Sequence, residues 1–181
     1  LAIKPDYAEA HNNLGLALHG LGRLDEAVIC YHKAFIKPDY AEANNNLGAV
    51  LQELGKFDEA IASYNKALTV KPDYAKAYSN LGAALKELGK TDEAISSYQK
   101  ALNFNPELAE AHNNLGNEYK EIGLLDEAVA SYHKAIDINP NYAQAYNNLG
   151  VAHRELGKPD HEEAMRIAIF ASKPLDRQGL S

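Results

Sequence analysis

The sequence predicts an all-α fold, a stack of five helix-turn-helix units joined into an α-α solenoid. Three observations carry this. Leu-Gly pairs recur at Leu14-Gly15, Leu47-Gly48, Leu81-Gly82, Leu115-Gly116 and Leu149-Gly150, spaced 33, 34, 34 and 34 residues apart. Numbering each unit so that this pair holds positions 7 and 8 puts ten of the twelve glycines at position 8 or 15. The same frame gathers all eleven tyrosines onto four places in the unit. A period of this length marks stacked supersecondary units, none of which can bury its apolar face alone.

The units begin at Ala8, Ala41, Ala75, Ala109 and Ala143. The array is expected over 8–174, with 1–7 as the close of a truncated preceding repeat and 175–181 as a tail. Each unit reads as two antiparallel helices. Helix A opens on the "PDYAEA" stretch, where Asp6-x-x-Glu9, Asp39-x-x-Glu42 and Asn141-x-x-Gln144 have the spacing of capping boxes. It closes at Gly22, Gly55, Gly89, Gly123 and Gly157, where a left-handed residue is needed. "DEA" opens helix B, with acids at the positive end of the helix dipole. Pro38, Pro72, Pro106 and Pro140 end it. The first unit is one residue short, "KAFIKPDY" against "KALTVKPDY", which predicts an early end to its helix B and a local change in inter-repeat angle. After Gly157 the pattern degenerates, and "KPDHEEAMRIAIFASKP" reads as a capping helix or a modified last helix B.

Composition limits the function classes. A formal net charge of −7 argues against nonspecific nucleic-acid binding, which needs a basic surface. No apolar run approaches the roughly 18 residues of a membrane span. A single cysteine, Cys30, excludes an internal disulfide and fits a reducing, cytoplasmic setting. The chain starts at Leu1 without Met, so an upstream segment is expected to be missing.

The full motif resembles the tetratricopeptide repeat (TPR) family over about residues 1–158. Beyond the Leu-Gly pair, alanine holds position 20 (Ala27, Ala60, Ala94, Ala128) and position 27 (Ala34, Ala67, Ala101, Ala135), and tyrosine holds position 24 (Tyr31, Tyr64, Tyr98, Tyr132). Position 4, tryptophan in the family pattern, is His11, Asn44, Tyr78, His112 and Tyr146. The resemblance implies a right-handed α-α superhelix whose helices A line a concave surface, a non-catalytic role, and protein or extended-peptide partners.

The asparagines sharpen that expectation. Asparagine is a poor helix former, yet "NNLG" or "SNLG" stands inside every helix A. On a helical wheel with position 2 at zero, positions 9, 13 and 6 fall at about −20°, 20° and 40°, and positions 5 and 12 at about −60° and −80°. The opposite arc is mostly Ala, Leu and Val and forms the core. Position 6 (Asn13, Asn46, Asn80, Asn114, Asn148) and position 5 (Asn12, Asn45, Ser79, Asn113, Asn147) therefore flank one polar face, with position 5 expected to face the groove. A primary amide donates and accepts at once, so a ladder of them can hold a peptide backbone whatever its side chains. The position-6 ladder is similar to that of the O-linked N-acetylglucosamine transferases, whose asparagines contact a bound peptide's backbone. The alternative is hydrogen bonding between adjacent repeats, stabilising the stack by about 1 kcal/mol each.

Asn117 joins the groove at position 9, beside Leu16, Ala49, Ala83 and Val151. Lys86 and Lys120 at position 12, with Lys76 at position 2, are expected to attract an acidic peptide or a C-terminal carboxylate. Position 13 supplies Glu53, Glu87, Glu121 and Glu155. Chaperone-tail adaptors of the family carry Lys at position 5, which no unit has here. Glu118 and His153 place polarity on the core arc.

No catalytic constellation is present. His161-Glu162-Glu163 is similar to H-E-x-x-H, but Met165 stands where the second histidine belongs, so no metal and no cofactor is expected. Cys30 has no plausible base beside it. The sequence thus predicts a peptide-binding scaffold. Two alternatives are the substrate-recognition arm of a larger glycosyltransferase and a scaffold that self-associates end to end.

Overall fold

The computed structural model describes residues 6–34 and 40–157. Among them run α1 (Asp6–Gly20), α2 (Leu24–Ala34), α3 (Ala41–Glu53), α4 (Phe57–Val70), α5 (Ala75–Glu87), α6 (Thr91–Phe104), α7 (Ala109–Glu121), α8 (Leu125–Ile138) and α9 (Ala143–Glu155). Odd-numbered helices are helices A and even-numbered ones helices B. Each helix packs on the next in the chain, most closely within a unit. Helices A also meet directly, α1 with α3, α3 with α5 and α7 with α9. The expected early end of the first helix B, residues 1–5 of the preceding repeat's close expected over 1–7, the capping helix and the tail lie outside the described residues, and Asp6 and Tyr7 already belong to α1.

The turn inside each unit follows from one glycine. Gly55 and Gly89 sit at φ 72° and 70°, a left-handed conformation that costs other residues energy, and the glycines at the three equivalent places match them. Acids open helix B as expected, with Asp58 and Glu59 in α4 and Asp92 and Glu93 in α6.

The capping box expected at Asn141-x-x-Gln144 does not form, while those at Asp6-x-x-Glu9 and Asp39-x-x-Glu42 rest on side chains outside the described ones. Helix α9 starts after Tyr142, with no side-chain cap bond, and α3 and α5 start the same way after Tyr40 and Tyr74. Asparagines before the prolines do the local work instead. Asn105 Oδ1 accepts from the Glu107 backbone N–H, and Asn139 Oδ1 from that of Asn141, each at 3.1 Å. These Asx turns set the chain's path before Asn141 can serve as a cap.

The core is built by a tyrosine laid on a glycine. Tyr31, Tyr64, Tyr98 and Tyr132 are fully buried or within 1% of it. Their rings lie against Gly15, Gly48, Gly82 and Gly116 so closely that an added Cβ would fall 2.5–2.8 Å from a ring carbon. Alanines at positions 20 and 27 are fully buried beside them and let helix B approach helix A. Tyr64 donates to Gln52 Oε1 at 3.0 Å and Tyr132 to Asn117 Oδ1 at 2.9 Å, which fixes those rings from their polar end. Burial raises all four phenols above the ordinary tyrosine range, Tyr31 and Tyr132 to about 12.

Candidate functional site

The helix-A face carries an ordered ladder of amides. Asn46 Nδ2 donates to Asn12 Oδ1 at 3.0 Å, Asn80 Nδ2 to Asn45 Oδ1 at 2.9 Å, and Asn148 Nδ2 to Asn113 Oδ1 at 2.9 Å. Position 6 of one unit thus donates to position 5 of the unit before it. Within a unit, Asn45 Nδ2 and Asn113 Nδ2 reach Asn46 Oδ1 and Asn114 Oδ1 at 3.4 Å. The partners stand 34, 35 and 35 residues apart. The residue missing from the first unit is therefore absorbed before α3, and the helix-A faces stay in register.

Position 5 differs from the expectation. Asn12, Asn45, Ser79 and Asn113 are buried, not open to the groove. A single helix's wheel puts this flank beside the polar face, but the next unit's helix A covers it. Asn147 has no such helix after it among the described residues and is exposed. Position 6 is half-buried in Asn46, Asn80, Asn114 and Asn148, and exposed in Asn13.

The rest of the face forms a groove crossing from unit to unit. Between the second and third units Ala49, Gln52, Glu53, Phe57, Tyr64, Asn80 and Glu87 line a cleft of about 450 Å³. Its floor is the small residue of position 9 and its walls are amide, phenol and carboxylate. Asn117 is engaged internally, accepting from Tyr132 and, at 3.0 Å, from Asn148 Nδ2.

The cations are placed unequally. His19 Nε2 meets Glu53 Oε1 at 2.6 Å, and Lys86 Nζ lies 3.8 Å from Glu121 Oε1, so position 12 of one unit faces position 13 of the next. Lys86 is also 3.9 Å from Glu118 Oε1, which leaves its charge compensated. Lys76 is exposed and Lys120 half-buried.

Glu118 is the odd group. Position 10 is Ala17, Val50, Ala84 and Ala152 in the other units. Glu118 is fully buried there, and neither carboxylate oxygen has a hydrogen-bond partner. Burial pushes its carboxyl above the usual range, Lys86 pulls it back, and Glu121 adds to the rise. Among the described residues no His, Cys, Asp and Glu cluster is arranged to hold a metal, and no helix is long and apolar enough to cross a membrane.

Four family models match these repeats. Tetratricopeptide repeat models cover residues 8–36, 39–106 and 97–130, and a TPR repeat model covers 116–157. The chain belongs to the tetratricopeptide repeat family. A comparison with curated protein sequences returns no match. Solved structures of this family share the fold. The crystal structure of MamA protein is 26% identical, covers 97% of this chain and 98% of its own, and superposes with a TM-score of 0.75. Pseudomonas aeruginosa pilF gives 0.80 at 23% identity, over 95% of this chain and 78% of its own. The first TPR of Spaghetti (RPAP3), bound to the HSP90 peptide SRMEEVD, is 25% identical with a TM-score of 0.65, over 67% of this chain and 97% of its own.

Proposed function

We propose that this TPR chain is a non-catalytic scaffold that binds a partner protein through an extended peptide segment laid in the helix-A groove. The cleft between the second and third units supports this most directly. A smooth floor at Ala49 lies between groups that donate and accept, contributed by two repeats. Such a surface suits a backbone more than one particular side chain, because amides satisfy peptide N–H and C=O alike. The peptide-bound relative supports the binding class but not its ligand. Position 5 here is an amide or hydroxyl in every unit, buried in all but Asn147, so no lysine is present there to clamp an acidic tail.

The test is to fill the groove without touching the core. A peptide is selected on the chain from a random display library, and its affinity measured for the native chain, Ala49→Trp and Ala83→Trp. Ala49 and Ala83 are half-buried, so an indole there projects into the groove. We expect affinity to fall by about tenfold or more, the equivalent of about 1.4 kcal/mol, with Tm held. Unchanged affinity in both variants overturns the groove.

A further inference from the structure

We propose that the cleft between the second and third units is an arginine subsite, in which an arginine side chain of the bound peptide supplies the cation that this junction of the solenoid lacks. This rests on the groove reading of the preceding section and names the side chain that the groove prefers at one point. Along the groove, position 12 of one unit faces position 13 of the next. At the first junction His19 Nε2 meets Glu53 Oε1 at 2.6 Å, and at the third Lys86 Nζ lies 3.8 Å from Glu121 Oε1. Lys120 and Glu155 hold the two places at the fourth, although no ion pair joins them among the described residues. At the second junction the two residues are Gln52 and Glu87, an acid with no basic residue opposite. Gln52 carries no charge, and its Oε1 already accepts from the Tyr64 hydroxyl at 3.0 Å. Glu87 is exposed, and among the described residues it forms no ion pair and no side-chain hydrogen bond. Glu53 lines the same cleft but is engaged by His19. One open carboxylate thus stands on the wall of a cleft of about 450 Å³.

The other walls favour arginine over lysine. Phe57 lines the cleft, and its position 17 is Leu24, Thr91 and Leu125 in the first, third and fourth units, so the aromatic ring and the open acid come together at this junction. A guanidinium stacks on an aromatic face and is more weakly hydrated than an ammonium. Its planar fork donates to a carboxylate through two N–H groups at once, which leaves donors for Asn80 Oδ1 on the same wall. The apolar stem of the side chain covers the smooth floor at Ala49. The amides of the groove take a backbone of any sequence, and Glu87 adds a charge preference at one place. At the next junction Lys86 itself fills this role, between Glu118 and Glu121.

The probes are a capped pentapeptide, acetyl-Ala-Ala-Arg-Ala-Ala-methylamide, and the same peptide with citrulline, which keeps the shape of arginine without its charge. Dissociation constants are measured by NMR titration of the native chain, Glu87→Gln, Gln52→Lys and Glu155→Gln, following the Asn80 side-chain amide and the Phe57 ring. We expect the native chain to prefer the arginine peptide by about fivefold or more. Glu87→Gln removes the carboxylate and Gln52→Lys supplies the missing cation from within, so both bring the two affinities together. Tm holds in Glu87→Gln, because that side chain is exposed. Glu155→Gln removes the same charge at another junction and keeps the preference. A preference that survives Glu87→Gln, or is lost equally in Glu155→Gln, overturns the subsite. So does equal binding of the two peptides by the native chain, and that result leaves the groove reading standing. If neither peptide moves any groove resonance, both readings fall.

Discussion

Gly48→Ala is expected to lower stability by about 2 kcal/mol, although alanine is the better helix former by about 1 kcal/mol. The added Cβ would lie 2.5 Å from Tyr64 Cε1, 2.7 Å from Cδ1 and 2.8 Å from Cζ. The ring cannot give way, because it is 1% exposed and its hydroxyl is held by Gln52. Relief must come from α3 and α4 moving apart, which opens the alanine contact at Ala60 and Ala67. Gly150 holds the same repeat position, but among the described residues nothing lies within 4 Å of a Cβ there. Gly150→Ala is therefore expected to leave stability unchanged or raise it. Urea unfolding of the two variants against the native chain checks the pair, and a loss as large at Gly150 as at Gly48 would sink the ring-on-glycine account.

Glu118→Ala is expected to stabilise the chain by about 1–3 kcal/mol at neutral pH, because it removes a buried carboxylate without hydrogen bonds. Three other units carry alanine at this position, so the packing tolerates it. The gain must depend on pH with a definite sign. The carboxyl is raised in the folded chain, so the folded state holds the proton more tightly than the unfolded state. The cost of the buried charge is thus absent below the unfolded carboxylate's titration. It grows as pH rises past that value and is complete above the folded one. Unfolding midpoints of Glu118→Ala and the native chain should converge at about pH 4 and separate by about pH 7. A gap of equal size at both pH values would show that packing, not charge, decides the effect.

Much of the fold is legible in the chain because its signals are local. A glycine that must take positive φ, an alanine where helices touch and a tyrosine every 34 residues or so each act within one unit, and they mark α3 to α9 closely. Position 5 was not legible for the opposite reason. The angle of Asn45 on its own helix is right, but whether that flank meets solvent depends on α5, which a wheel does not contain. The capping box at Asn141 fails through competition, since Asn139 closes its turn upstream. Glu118 stood out on the core arc from sequence alone. Its missing hydrogen bonds did not, because they depend on where Lys86 ends.

The central claim is that this helix-A face holds an extended backbone. The most direct measurement is a crystal structure of the chain with the peptide selected on it. The account predicts an extended peptide along the groove over Ala49 and Ala83, with its backbone hydrogen-bonded to the helix-A asparagines. A peptide bound on the outer face of the B helices, or one lying in the groove as a helix with no backbone contact to the asparagines, would contradict it.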